Sequence, residues 1–354
     1  MWIPFRIDRL RLMEIEVQVN GQRAAAVVDT GATRTVFDRS FVTRAGIEVR
    51  EGFRGNGLTS ALSGGLTTGT RIDIAGRRLS GLDAAVLDLS DISAALGHKV
   101  DVVLGQELFA AGLVEIDFPR NRLRLLAPGA ELEAGTPVQL GAALDRLRTL
   151  PAELPGDLGV NAALDLGSNI ALYIDPALAE RHRLLERLRT STSASAGAEG
   201  IEVSTVAVLP SVTIAGVRLN NVPVQIPQRW RFASQALVGL PILSRFRLGL
   251  DFTYSRAWIE PEDSLVHLPF PKDRSGLGAV PAQGRLQVIH VAPGSPAERI
   301  GLAAGDEITA INGRAVDEAF LRQRPRIGQG PPGTEVELSL ADGDTHLMVL
   351  EDYF

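Results

Sequence analysis

Two similar stretches decide the fold: residues 24–38 read AAAVVDTGATRTVFD, and residues 160–175 read VNAALDLGSNIALYID. Each stretch contains an apolar run, an Asp-x-Gly turn and a second apolar run. Short runs rich in Val, Leu and Ile that are separated by a turn predict strands. The similarity is the first sign that the chain contains two copies of one unit.

Three further pairs of similar segments follow in the same order. They are 72–79 and 212–219, then 102–109 and 237–243, then 114–126 and 248–259. Equivalent positions in the four pairs lie 134 to 140 residues apart. Four matches at nearly constant spacing indicate an internal duplication.

The duplication predicts one domain over residues 1–134 and a second over residues 135–267. Residues 268–354 fit neither copy, and they predict a smaller third domain that begins with a proline-containing linker. Strand and turn signals dominate both copies, so we expect an all-β fold. The clearest helical pattern covers residues 176–189, PALAERHRLLERLR.

The composition describes an ordinary globular protein. The chain has 354 residues, 45% of them hydrophobic, and a net charge of −6. A mildly acidic protein is an unlikely partner for nucleic acid. The chain has no cysteine, which excludes disulfides and thiolate nucleophiles, and its five histidines share no metal-ligand spacing. We therefore expect no metal and no cofactor, and no apolar run reaches the roughly 18 residues of a membrane span.

The repeated turns place Asp29 and Asp165 at equivalent positions. Two carboxyl groups that share one proton can hydrolyse a peptide bond without a metal or a thiolate. The ionised group activates a water molecule, and the protonated group donates to the scissile carbonyl oxygen. The chemistry requires the two turns to lie back to back.

Small residues beside the aspartates suit that arrangement. Gly31 and Gly167 lack a Cβ atom, so the two backbones can approach closely. Thr30 can direct its hydroxyl group into the facing turn. The segments 103–105 and 237–239, each two apolar residues and a glycine, can pass behind the turns and bury them.

With these motifs, residues 1–267 resemble the pepsin and retropepsin superfamily of aspartic peptidases. Residues 29–33, DTGAT, match the first active-site motif of that family closely. Residues 165–168, DLGS, depart from it at Leu166, where the family normally has Thr or Ser. Ser168 stands where the family often places a hydroxyl group that bonds its own catalytic aspartate.

The resemblance implies two homologous β-barrel lobes of the acid-protease fold, each with one catalytic aspartate, and no cofactor. The implied catalytic residues are Asp29 and Asp165. The implied active-site turns contain Thr30, Gly31, Thr33, Gly167 and Ser168.

The family covers its cleft with a β-hairpin flap, and residues 58–70 are the candidate here, with Gly64-Gly65 at the tip. The matching stretch, residues 191–200, is small and polar. Neither stretch contains a tyrosine, so the chain looks closer to retropepsin-like bacterial enzymes. That likeness favours the periplasm or cell envelope if an export signal has been removed. Residues 1–6 lack a signal-peptide pattern and otherwise favour the cytoplasm.

The third domain contains the string VIHVAPGSPAERIGLAAGDEITAING, residues 288–313. Ser295 is a predicted helix N-cap, with Pro296 at the first helical position and Gly301 at the end. The string is similar to PDZ domains, especially those that follow bacterial serine peptidases. The resemblance implies peptide binding by strand addition, with the loop Gly276, Leu277, Gly278, Ala279 holding a C-terminal carboxylate.

The sequence therefore predicts an aspartic endopeptidase for extended peptides or unfolded protein, with a PDZ-like domain that recruits substrate C-termini or regulates the cleft. Leu166 favours an alternative, a non-catalytic peptide-binding protein with a degenerate peptidase fold. A peptidase that is active only as an assembly of several chains is another alternative. The PDZ-like domain can also serve only for packing.

Overall fold

A computed structural model describes residues 1–7, 12–56, 61–90, 92–93, 98–197, 200–323 and 326–354. Strands dominate these ranges, and the helices are short. Among the described residues, no helix is long and apolar enough to cross a membrane.

The first copy contains eleven described strands and two described helices. The strands are β1 Ile3–Pro4, β2 Arg6–Ile7, β3 Met13–Val19, β4 Gln22–Val28, β5 Val36–Asp38, β6 Arg50–Asn56, β7 Ala61–Ile74, β8 Arg77–Leu87, β9 Val102–Leu104, β10 Val114–Asp117 and β11 Arg122–Leu125. The helices are α1 Arg39–Arg44 and α2 Glu107–Ala110.

The second copy repeats this series. Its described strands are β12 Thr136–Gln139, β13 Gly141–Ala142, β14 Arg148–Leu154, β15 Leu158–Asp165, β16 Leu172–Ile174, β17 Ser191–Gly197, β18 Gly200–Ile214, β19 Val217–Ile226, β20 Ala236–Gly239, β21 Phe246–Asp251 and β22 Arg256–Pro261. Its described helices are α3 Pro176–Arg181, α4 Leu240–Leu243 and α5 Asp263–Val266.

The sheet of the first copy closes into a six-stranded barrel. Its strand order is β3-β4-β9-β5-β8-β7, and β7 pairs back with β3 through Val19 and Ile72. The hairpin from β3 to β4 turns at Asn20 and Gly21, whose φ angles are 49° and 87°. Two successive residues at positive φ give the tight hairpin turn that an Asn-Gly pair favours.

The second copy closes in the same way. Its order is β14-β15-β20-β16-β19-β18, and Ile214 of β18 pairs back with Ala152 of β14. The two barrels use equivalent strands in the same order. The predicted all-β class with two barrel lobes is therefore confirmed.

A third sheet joins the two copies. It has the order β1-β11-β10-β21-β22-β12, in which β10 of the first copy pairs with β21 of the second. Phe109 and Phe252 stack beside this sheet with ring centroids 5.1 Å apart. The side chain of Glu115 on β10 is buried and bonds Arg124 of its own copy and Arg247 of the other. One buried carboxylate thus pairs with a cation from each copy.

The third domain has its own sheet and core. The strands are β23 Leu277–Ala282, β24 Arg285–Val291, β25 Glu307–Ile311, β26 Arg314–Ala315, β27 Glu335–Leu340 and β28 Thr345–Val349. The helices are α6 Pro296–Arg299 and α7 Glu318–Gln323, and a 3₁₀ turn covers Ile327–Gln329. The order β23-β24-β25-β27-β28 places β23 at the edge of the described sheet, and β26 pairs with β25.

The chain divides into two compact units. One contains Met1–Asp175, Leu209–Val222 and Arg229–Leu268, and the other contains Pro176–Val208, Pro223–Gln228 and Pro269–Phe354. This division separates part of the second copy from the rest of it. The three domain extents drawn from the sequence stay a prediction.

The helix predicted over residues 176–189 is wrong in its extent. Helix α3 ends at Arg181, and Arg183 has a φ of 51°. That left-handed conformation stops a helix. The amide of Leu184 then donates to the carbonyl of Ala179, so the chain turns away from the helix axis.

We predict that Glu115→Gln lowers the free energy of unfolding by about 2 kcal/mol. Removing one member of a buried ion pair costs about 3–5 kcal/mol, and the partial exposure of both arginines reduces that figure. Urea denaturation measures the change. Glu16→Gln, an exposed glutamate on β3, is the matched control. Equal stabilities for the two variants would contradict the prediction.

Candidate active site

The first candidate turn lies between two parallel strands. Asp29 directly follows β4, and β4 pairs in parallel with β9. The Asp29 amide donates to the Leu104 carbonyl at 3.0 Å, and the Gln106 amide donates to the Ala32 carbonyl at 2.9 Å. A Cβ atom on Gly105 would lie 2.7 Å from the Ala32 oxygen, so this position requires glycine. The segment 103–105 therefore backs the turn, as predicted.

The second turn has the same construction. Asp165 ends β15 and pairs in register with Gly239 on the parallel strand β20. The Gly239 amide donates to the Ala171 carbonyl at 3.0 Å, and the Leu240 amide donates to the Ser168 carbonyl at 2.9 Å. A Cβ atom on Gly239 would overlap the Ile170 carbonyl oxygen. The segment 237–239 thus backs the second turn.

The two turns bring Asp29 and Asp165 into direct contact. Each carboxyl group accepts the amide of the glycine two residues ahead, Gly31 at 2.7 Å and Gly167 at 3.0 Å. A Cβ atom on Gly31 would lie 2.8 Å from Asp165 Oδ1, and one on Gly167 would overlap the Asp29 carboxyl group. Each glycine therefore provides the space for the opposite carboxyl group, and the two carboxyl groups hydrogen-bond each other.

A hydroxyl group locks one turn to the other. Thr30 is fully buried, and its Oγ1 donates to the Leu164 carbonyl at 2.8 Å and accepts the Leu166 amide at 2.9 Å. The Gln106 side-chain amide donates to the Thr30 carbonyl at 3.1 Å. Leu166 at the equivalent position has no hydroxyl group and is fully buried. The interlock is therefore made from one side, and apolar packing takes the place of its other half.

The two remaining turn residues have different environments. Thr33 is half-buried in the loop after the first turn. Ser168 uses its Oγ to accept the Ile170 amide at 3.2 Å, while its own amide bonds the Asp165 carboxyl group. The hydroxyl group thus shapes the loop, and the backbone supplies the bond to the aspartate.

The surroundings of the two carboxyl groups give them different pKa values. Burial raises the pKa of both, and the charge of Asp29 raises the pKa of Asp165 further, well above its usual range. Amides of Gly31, Ala32 and Gly167 point at Asp29 and oppose the rise in its pKa. The pair therefore retains one proton above the pH at which ordinary carboxyl groups ionise, with the negative charge favoured on Asp29. As whole residues, both aspartates have intermediate exposure.

Comparisons with known proteins agree with this geometry. Residues 15–108 match the family of aspartyl proteases, and residues 287–341 match the PDZ domain family. The chain carries an aspartyl protease domain and a PDZ domain. Its two barrels fit a duplicated, two-lobe protease fold.

A short segment of the chain is similar to the carboxyl-terminal-processing peptidase 2, chloroplastic, of Arabidopsis thaliana. It is 38% identical over 66 residues, which is 18% of this chain and 13% of that protein. This chain therefore aligns with only a small part of that relative. Together with the two family matches, the similarity supports a peptidase role.

The structure corrects the predicted tip of the first protease hairpin. Gly64 and Gly65 lie inside β7, where they pair with Phe53 and Glu51 of β6, and the pairing of the two strands continues to Asn56 with Ala61. A Cβ atom on Gly64 would overlap the Val86 carbonyl, which explains a glycine inside a strand. Residues 58–60 of the predicted flap lie outside the described residues. Residues 61–70 form the described part of that hairpin.

The predicted carboxylate loop of the PDZ domain already binds a carboxylate from its own chain. Asp273 accepts the Gly276 amide at 2.6 Å and the Ser275 hydroxyl at 2.7 Å, and the Leu277 amide donates to Ser275 Oγ at 3.1 Å. Tyr353 also donates to Asp273, at 3.1 Å. A ligand carboxylate at Gly276 and Leu277 would have to displace these bonds. Sequence reasoning missed Asp273, although Asp three residues before Gly276 is a typical signal of such a turn.

Three residues of that loop belong to a strand. Leu277, Gly278 and Ala279 begin β23, which pairs with β24 and has a bulge between Gly278 and Ala279. Among the described residues, no group of three or more His, Asp or Glu side chains could hold a metal ion.

We predict that Gly167→Ala lowers cleavage of a peptide substrate by at least about 100-fold. The added Cβ atom must displace the Asp29 carboxyl group, and a displacement of about 1 Å at a reacting group costs this much in rate. Gly159→Ala, on the strand β15 that leads into this turn, is the matched control, since its Cβ atom meets no atom within 4 Å. Similar activity in both variants would show that the contact between the turns does not matter.

We predict that Asp165→Asn stabilises the protein at neutral pH. Above about pH 3.9 the unfolded chain releases this proton, whereas the folded chain keeps it because its pKa is raised, so wild-type stability falls as pH rises. The melting temperature of Asp165→Asn should therefore exceed that of wild type at pH 7. The expected difference is about 2–4 °C for each 1 kcal/mol that the substitution adds to the free energy of unfolding. Below about pH 3 the difference should vanish.

Asp157→Asn, on the exposed turn at the other end of β15, is the control for this measurement. It should follow the wild-type melting temperature at each pH. A lower melting temperature for Asp165→Asn at pH 7 would contradict a raised pKa at that site.

Proposed function

We propose that this protein is an aspartic endopeptidase that hydrolyses peptide bonds with a water molecule activated between Asp29 and Asp165. One observation carries the proposal: the carboxyl groups of two aspartates hydrogen-bond each other at back-to-back Asp-x-Gly turns, one from each barrel. Such a pair is a good general base and general acid together, because only one of its two groups ionises readily.

The surroundings of the dyad support distinct roles for its members. Asp29 is the better base, because backbone amides stabilise its charge. It takes a proton from water as the water oxygen attacks the scissile carbonyl carbon. Asp165 holds the shared proton and gives it to the carbonyl oxygen, which forms a neutral tetrahedral intermediate. The C–N bond then breaks as Asp29 gives its proton to the departing nitrogen and Asp165 takes a proton from a hydroxyl group of the intermediate, so that the carboxyl and amine products form and the dyad regains its starting state.

The polar contacts of the two turns are unequal. Gln106 donates to the Thr30 carbonyl of the first turn, whereas the Thr30 hydroxyl bonds the Leu164 carbonyl and the Leu166 amide, on either side of Asp165. The assignment of Asp165 as the acid therefore rests on the charge of Asp29 and on the backbone amides that point at Asp29.

The substrate in this proposal is an extended peptide or an unfolded protein segment, and the hairpin that contains residues 61–70 closes over it. The PDZ domain contributes a second peptide-binding element, because β23 lies at the edge of its sheet and an edge strand can accept an added strand. It recruits substrate C-termini or regulates the peptidase. A ligand that ends in a carboxylate at this loop competes with Asp273.

The second candidate function is peptide binding without cleavage. Leu166 favours it, because a catalytic turn has lost half of its interlocking hydrogen bonds. The loss of one net hydrogen bond is worth about 1 kcal/mol, and burial of the leucine side chain can offset it. The two carboxyl groups remain in contact, which favours the peptidase.

Cleavage of casein between pH 3 and pH 8 tests the proposal, with Asp29→Asn and Asp165→Asn compared with wild type and with Asp157→Asn. We expect loss of cleavage in both dyad variants and full activity in the control. Cleavage should fall at acid pH as Asp29 takes up a proton. It should also fall as the pH rises above the usual carboxyl range and Asp165 loses its proton.

Other results separate the alternatives. Cleavage that survives in Asp165→Asn but not in Asp29→Asn would favour an active site assembled from two chains. No cleavage of casein by wild type, together with binding of unfolded casein, would favour the non-catalytic alternative.

A further inference from the structure

The second barrel carries a hairpin of its own, formed by β17 and β18. These strands pair in register from Ser191 with Val206 to Gly197 with Gly200. By the duplication, this hairpin is the counterpart of the β6 and β7 hairpin of the first barrel. The first hairpin belongs to the same compact unit as the dyad, whereas residues 176–208 belong to a unit with residues 269–354.

Three contacts join β17 to the PDZ domain within that unit. Ser191 is buried, and its hydroxyl donates to the Pro293 carbonyl at 2.7 Å. Thr192 Oγ1 lies 2.9 Å from His290 Nε2. A Cβ atom on Gly278 would lie 3.4 Å from the Ala194 Cβ atom. Two hydrogen bonds and one close backbone approach therefore align along a single strand.

These contacts use the outer face of the PDZ sheet. Gly278 and His290 are paired neighbours on β23 and β24, and the residues next to them, Leu277 and Val291, pack against the PDZ core. Successive residues of a strand point to opposite faces, so Gly278 and His290 face away from that core. Glycine at position 278 lets β17 lie close to the sheet.

We propose that the outer face of β23 and β24 is an internal docking surface that holds the second hairpin of the peptidase in place. The same strand β23 presents its edge to an added peptide strand, so a PDZ ligand binds to the backbone of the residues that support the hairpin. Strand β18 continues from this hairpin to Ile214, which closes the second barrel against Ala152. Strand β18 thereby connects the hairpin that the PDZ domain holds to the barrel that carries Asp165. Binding of a PDZ ligand can therefore change peptidase activity through this strand, and this regulatory step rests on the proposed function.

Amide hydrogen exchange of the full chain tests the docking, with Asp29→Asn as background so that self-cleavage does not interfere. Ala194→Glu places bulk and charge against Gly278, and His290→Ala removes the partner of Thr192. We expect exchange in residues 191–197 and 200–206 to rise about three- to tenfold in each variant, as the loss of one net hydrogen bond implies. Exchange in β4 and β15 should stay unchanged.

Ser193→Glu is the matched control, because it adds the same charge one residue away on the opposite face of β17. It should leave the exchange rates of the hairpin at the background value. Equal rates in Ala194→Glu and Ser193→Glu would overturn the docking surface. This outcome is independent of whether the chain cleaves casein.

The regulatory step has a separate test in the chain with its dyad intact. Ala194→Glu should lower kcat/KM for casein at least about fivefold relative to Ser193→Glu, while the pH dependence of cleavage stays the same, since the dyad is untouched. Equal kcat/KM values would overturn the link between the docking surface and the peptidase. Loss of cleavage in wild type itself would instead count against the proposed function.

Discussion

The rest of the structure depends on the contact between two carboxyl groups that cannot both ionise cheaply. Asp29 and Asp165 lie at chain turns from two different barrels, so neither barrel holds the pair alone. Parallel strands β9 and β20 fix each turn from behind, and Thr30 ties the turns together. The sheet that joins β10 to β21 keeps the two barrels in one unit. Each of these elements supports a close contact that electrostatic repulsion opposes at high pH.

Duplication made this contact available, and divergence made it unequal. Both turns keep Asp and Gly, because those residues supply the carboxyl group and the space for the opposite carboxyl group. The polar supports differ: Thr30 and Gln106 in the first copy correspond to Leu166 and Leu240 in the second. The unequal acidity follows from the backbone amides that point at Asp29 and from the effect of the Asp29 charge on Asp165.

The hairpin of β17 and β18 differs from its counterpart in the first copy, because it contacts the PDZ domain. In the first copy the hairpin belongs to the unit that contains Asp29 and Asp165, and in the second it is grouped with the PDZ domain. Gly278 leaves little space to β17, since a Cβ atom there would already lie 3.4 Å from the Ala194 Cβ atom and a longer side chain would meet that strand. The residue was predicted to be part of a carboxylate loop, and the structure gives it a second environment on the other face of the strand.

The sequence by itself determined the features that depend on residues close together in the chain. The Asp-x-Gly turns, the Asn20-Gly21 hairpin and the helix cap at Ser295 follow from local backbone preferences, and the repeated order of segments predicted the two barrels. Only the tertiary structure decided the position of Gly64 inside β7, the hydrogen bond from Tyr353 to Asp273 and the contact of β17 with the PDZ sheet. These features depend on strand register and on contacts between distant segments, because the same glycine or aspartate suits a turn, a strand or a close approach equally well. The neighbours that folding brings to each residue select among these uses.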